Sequence, residues 1–128
     1  MTVRILVVDD HPVVRHGLRT LLGGHPEWEI VAEAADGLEA VAQADRLRPD
    51  VIVLDITMPK MSGQELLTAL KARPDTEAIP VIVLAGRKGT EPLDIESKYV
   101  IHKDIDIVSQ LSRTVEAILP GSLSQQVP

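Results

Sequence analysis

Short apolar runs alternate along this chain with longer segments whose apolar residues recur every three or four positions. Ile5-Leu6-Val7-Val8, Val51-Ile52-Val53-Leu54 and Val81-Ile82-Val83-Leu84 are uninterrupted. Runs this short and this rich in β-branched residues predict strands buried on both faces, as in a parallel sheet. The pattern predicts strands over Val3–Val8, 29–34, Val51–Asp55, 80–85 and, briefly, Tyr99–His102. A helix should begin near Pro12, a residue favoured in a first helical turn, and place Val14, Leu18, Leu21 and Leu22 on one face before Gly23-Gly24. After a turn at Asp36-Gly37, Leu38, Val41 and Ala42 start a second amphipathic helix that runs to about Arg48, and Pro49-Asp50 breaks the chain. Ser62 is placed to cap a third helix with Leu66, Leu67 and Leu70 inward and Pro74 past its end. Val108, Leu111, Val115 and Ile118 define the last helix. The alternation is a (βα)5 pattern without internal repeat, which implies a doubly wound α/β sheet covered on both faces. One connection is irregular. Residues 86–98 contain Gly86, Gly89 and Pro92, and a crossover needs at least about 10–12 residues including its helix. A fourth helix is therefore expected to be short or absent.

Composition narrows the chemistry. With 128 residues the chain fits one domain, read as 1–119 with a linker or tail over 120–128. Aromatic residues are 2% and Phe is missing, so aliphatic side chains must build the core. The net charge is −6, with no basic cluster, which argues against direct nucleic-acid binding by this chain. There is no Cys, so disulfides, zinc-thiolate sites and thiol catalysis are excluded. No stretch approaches the roughly 20 apolar residues of a membrane span, and Met1-Thr2-Val3-Arg4 leaves no room for a signal peptide. A cytoplasmic protein is the simplest reading.

The candidate chemistry is acidic. The first apolar run ends in Asp9-Asp10 and the third strand ends in Asp55. Strands that end together can gather three carboxylates at the carboxyl edge of an open α/β sheet, where such folds bind ligands. Gathered carboxylates repel one another, so a hard cation or a raised pKa is implied. Taken singly, Asp9 and Asp10 also suit a turn and a helix cap, and Lys103 suits a solvated strand end. Asp55, after four buried residues, is harder to read that way.

These residues resemble the receiver domain of bacterial two-component response regulators. The phrases that carry the resemblance are Ile5-Leu6-Val7-Val8-Asp9-Asp10-His11-Pro12, Asp55-Ile56-Thr57-Met58-Pro59-Lys60-Met61-Ser62-Gly63 and Lys103-Asp104. The first, continuing into Val13-Val14-Arg15, is similar to the subfamily in which a helix-turn-helix output domain follows the receiver. The resemblance implies a flavodoxin-like sheet in the order 2-1-3-4-5. It implies that Asp55 accepts a phosphoryl group from a histidine kinase. It further implies Mg2+ held by Asp9, Asp10, Asp55 and the Thr57 carbonyl, with Lys103 pairing first with Asp55 and then with the phosphoryl group. A phosphoacceptor of this kind is not an enzyme on a separate substrate, although it can catalyse its own phosphorylation and dephosphorylation. Its partners would be a kinase, an output domain or partner protein, and a second copy of the chain; its role would be transcription regulation.

The match breaks in one region. The family has Thr or Ser at the end of strand four, and this chain has Ala85. The family's switch aromatic lies three residues before the lysine, where this chain has Val100; Tyr99 is one residue early, unless a bulge restores the register. Two further readings follow: an atypical receiver that binds partners independently of phosphorylation, and a haloacid-dehalogenase-type hydrolase. The hydrolase needs a second carboxylate two residues after the first, and that place is Thr57. His11, His16, His25 and His102 read as surface or turn histidines, and Trp28 as a packing residue.

Overall fold

The computed structural model describes residues 2–9, 11–55, 63–85, 99–102 and 107–118. Within them run β1 (Val3–Val8), α1 (Pro12–Gly23), β2 (Trp28–Ala34), α2 (Gly37–Leu47), β3 (Val51–Asp55), α3 (Gly63–Lys71), β4 (Val81–Ala85), β5 (Tyr99–His102) and α4 (Ile107–Ile118). The strands form one parallel sheet in the order β2-β1-β3-β4-β5. This is the doubly wound α/β arrangement expected from the alternation, in the strand order that the family resemblance implied. The expected short fourth helix between β4 and β5, and the tail over 120–128, lie outside the described residues.

Two-residue periodicity splits the apolar runs between two cores. Ile5, Val7, Val51, Val53, Ile82 and Leu84 pack with Leu18 and Leu22 of α1 and Leu111 and Val115 of α4. Leu6, Val8, Ile52, Leu54, Val81 and Val83 pack with Ala40 and Ala44 of α2 and Leu66, Leu67 and Leu70 of α3. Both faces of β1, β3 and β4 are thus dry, which is why these strands carry no polar alternation.

Two helix faces differ from the sequence expectation. In α1, Leu18 and Leu22 are buried but Val14 and Leu21 are exposed. Leu21 lies off the Leu18–Leu22 row, and Val14, one step earlier on that row, falls in the first turn of the helix. In α2 the inner face is Ala40 and Ala44, with Val41 at its margin, whereas Leu38 is 87% exposed and Ala42 is exposed. Large residues do not mark the inner face where small ones bring a helix close to its neighbours.

The strand termini are pinned on the side that matters for function. Asp9 N–H donates to the Ala34 carbonyl (3.0 Å), continuing the β1–β2 ladder one residue beyond β1. The β1–β2 register shifts between Ile5 and Leu6, leaving Val31 as an extra residue in β2.

Candidate functional site

The carboxyl ends of β1, β3, β4 and β5 stand side by side. Val8 pairs with Leu54, so Asp9 and Asp55 follow at matched positions on adjacent strands. Asp55 pairs with Leu84, and Ala85 pairs with His102. Asp55 and Ala85 therefore close neighbouring strands, and Lys103 follows His102 in sequence. Topology alone brings Asp9, Asp55 and Ala85 to one sheet edge.

Asp9 is the best-defined member. It is only 2% exposed, unusual for a carboxylate. Its Oδ1 accepts from the His11 N–H at 2.8 Å, an Asx-type turn that ends β1 and turns the chain into α1. The turn role weighed from sequence is thus real, and it coexists with a place at the acidic edge. Arg15 of α1 donates from Nη1 to the Asp9 carbonyl at 2.8 Å. Its Nε is paired with Glu33 Oε1 at 3.1 Å, and Arg19 holds Glu33 Oε2 at 2.9 Å. Sequence reasoning assigned no role to Arg15 or Glu33. Their contact spans 18 positions, and only the β1–β2 pairing brings Glu33 beside the first turns of α1.

Asp10, Thr57 and Lys103 lie outside the described residues, and Asp55, Ala85 and Val100 are described in backbone only. In β5, Tyr99, Val100, Ile101 and His102 pair in unbroken succession with Ile82, Val83, Leu84 and Ala85. No extra residue is inserted, so a bulge in this pairing does not restore Tyr99 to the place held by Val100. His25 lies in the turn between α1 and β2, and its ring also stacks on Trp28 with centroids 3.9 Å apart and planes 10° from parallel.

A buried carboxylate at the end of β1, one strand from a second, is an all-oxygen donor set, which suits a hard divalent cation such as Mg2+. Of that set the side chain of Asp9 is described, and its carboxylate is a donor of the type that such an ion takes.

The family model described as response regulator receiver domain matches residues 5–115. The transcriptional regulatory protein YdfI of Bacillus subtilis is 35% identical over 127 residues, covering 96% of this chain and 58% of that protein. The nitrate/nitrite response regulator protein NarP of Escherichia coli is 44% identical over 82 residues, covering 64% of this chain and 38% of that protein. The chain therefore spans well under two thirds of the length of these relatives. Among solved structures, a two-component response regulator of the LuxR family from Aurantimonas sp. SI85-9A1 superposes with a TM-score of 0.78 at 30% identity, covering 94% of this chain and 87% of that one.

Proposed function

The chain belongs to the response regulator receiver domain family, and from that premise we propose that Asp55 accepts a phosphoryl group from a histidine kinase and that the acylphosphate alters affinity for a partner. The observation that carries this reading is the register: Asp9 and Asp55 follow the paired residues Val8 and Leu54 on adjacent strands.

The chemistry follows from the residue types. A carboxylate oxygen of Asp55 attacks the phosphorus of a phosphohistidine; the new P–O bond forms as the P–N bond breaks, and the imidazole leaves with a proton. Little covalent work falls to the protein, so positioning and charge neutralisation dominate. Asp9, Asp10, Asp55 and the Thr57 carbonyl would hold Mg2+, which supplies positive charge to the phosphoryl oxygens when bound. Lys103 is a compact cation on a flexible stem, suited to follow charge from the carboxylate to the phosphate.

The experiment is labelling by a small-molecule phosphodonor with Mg2+. The label should be acid-stable and base-labile, should require Mg2+, and should disappear in Asp55→Asn. Undiminished labelling of Asp55→Asn would refute the assignment.

The family's output lies beyond this domain. We infer that the receiver serves a kinase on one side and an output domain or partner protein on the other, in transcription regulation. Residues 1–119 form the receiver in this reading and 120–128 a linker or tail. No described helix is long and apolar enough to cross a membrane; the kinase contact is assigned to the cytoplasm.

A second reading is favoured by Ala85, which closes β4 beside Asp55 and offers no hydroxyl to a phosphoryl oxygen. In that reading the chain binds partners whether or not Asp55 is phosphorylated. Equal partner affinity with and without the phosphoryl group would select it.

A further inference from the structure

Asp9 is held from behind by a brace that belongs to no ligand set. Its N–H is bound to the Ala34 carbonyl of β2 at 3.0 Å, and its carbonyl accepts from Arg15 at 2.8 Å. Arg15 is itself fixed on Glu33, one residue before Ala34, whose other oxygen is taken by Arg19. The result is a closed circuit: β1 end, α1, β2, and back to the β1 end. Arg15 and Glu33 are 20% and 25% exposed at the side chain, sheltered enough for the pair to hold a fixed geometry.

The circuit acts on a specific peptide unit. The Asp9 carbonyl belongs to the planar bond that joins Asp9 to Asp10, so fixing that oxygen fixes the direction in which the chain leaves Asp9. The His11 N–H, two residues on, is tied to Asp9 Oδ1 at 2.8 Å. These two anchors hold Asp9 by its carbonyl and by its side chain. A guanidinium is the group suited to this task, because its rigid fork serves a carbonyl and a carboxylate together.

We propose that Arg15, locked by Glu33, is a positioning residue for the Asp9-Asp10 turn and thereby sets the affinity of the acidic edge for Mg2+. The inference rests on the reading of that edge as a Mg2+ site. Simple electrostatics predicts the opposite sign. Arg15 is a cation beside a cation site, and its removal alone should tighten Mg2+ binding. Positioning predicts weaker binding, because a turn released from its brace must be ordered when the metal binds.

The test is a Mg2+ titration of the chain followed by the amide signals of Asp9 and Ala34, beside the Mg2+ dependence of labelling by a small phosphodonor. Arg15→Ala should raise the half-saturating Mg2+ concentration on the order of tenfold, while the labelling rate at saturating Mg2+ stays near that of the parent. Arg15→Lys keeps the charge but loses the fork and should be weakened in the same direction; it decides the matter if Arg15→Ala does not fold. Glu33→Gln should lie between. Arg46→Ala removes a charge on α2 that donates to Gln43 Oε1 at 2.7 Å, and should leave the titration unchanged. Tighter or unaltered Mg2+ binding in Arg15→Ala and Arg15→Lys overturns the positioning role, as does an equal shift in Arg46→Ala. A parent chain that binds no Mg2+ overturns the site reading itself, a distinct result.

Discussion

At the scale of single residues, burial separates side chains that look alike in the sequence. His25 and His16 are both histidines near the ends of α1, yet only His25 lies against Trp28, and its Nδ1 accepts the Glu27 N–H at 3.1 Å. Burial pushes the His25 pKa below its ordinary value of 6.5, and the nearby Glu27 carboxylate only partly offsets that. The neutral ring is favoured in the fold, so the unfolded chain binds the proton more readily. Stability should therefore fall as pH drops through 6.5 toward the lowered folded pKa, and be unaffected by this group above 6.5. Trp28 is the sole tryptophan and its Nε1 finds no acceptor among the described residues, so its emission reports on the stacked ring. The emission should titrate with a midpoint below 6.5, and this titration should be absent in His25→Gln. A midpoint at or above 6.5 would contradict the desolvation argument. Asp9 gives the complementary lesson. Its place after an apolar run was legible as a site carboxylate, and its alternative role as a turn former was legible too. The structure shows the turn role, with Oδ1 accepting the His11 N–H, together with a burial of the carboxylate that spacing alone does not reveal.

At the scale of elements, α2 shows how much is written locally and how much is not. Its start is local: Asp36 is extended and its carboxylate accepts the Glu39 N–H at 2.8 Å, a side-chain N-cap. Asp36→Ala should cost about 1 kcal/mol of unfolding free energy, read from the denaturant midpoint. Its end is less expected. Arg48 adopts a left-handed backbone, φ 49° and ψ 63°, where glycine is the usual occupant. Arg48→Gly and Arg48→Val both lose the exposed pair with Asp75, a contact worth little. They should nevertheless differ by about 1–2 kcal/mol in favour of Gly, because the β-branched residue is strained there. Equal midpoints for the two variants would remove the backbone as the cause. The sequence supplied the ends of this helix within a residue or so, since caps and breakers act locally. It misassigned part of the buried face: Leu38 is exposed while Ala40 and Ala44 are buried. Which face turns inward is decided by the sheet and α3, and small residues at those positions carry a weak hydrophobic signal.

At the scale of the whole molecule, the question is whether an event at Asp55 reaches the far edge of the sheet. The order β1-β3-β4-β5 was implied by the family resemblance, and it puts Asp55 next to β4 and β4 next to β5. Leu84 pairs with both Asp55 and Ile101, and it packs in one cluster with Ile101 of β5 and Leu111 of α4. A pull on the end of β4 thus has a packed route to α4. Ala85, at that end, has no hydroxyl with which a phosphoryl oxygen could pull. A hydrogen bond to a charged group is worth about 1.5–3 kcal/mol, which shifts a two-state equilibrium on the order of tenfold or more. Ala85→Thr should therefore couple the site to this route. With Mg2+ and beryllium fluoride as a phosphoryl mimic, the methyl signals of Ile101 and Leu111 should move further in Ala85→Thr than in the parent. The signals of Asp9 should respond equally in both, since that end of the site is unchanged. If Ile101 and Leu111 already move fully in the parent, β4 transmits without a hydroxyl and the reading of this chain as an atypical receiver loses its main support. If they move in neither protein, the Leu84 cluster is not the route.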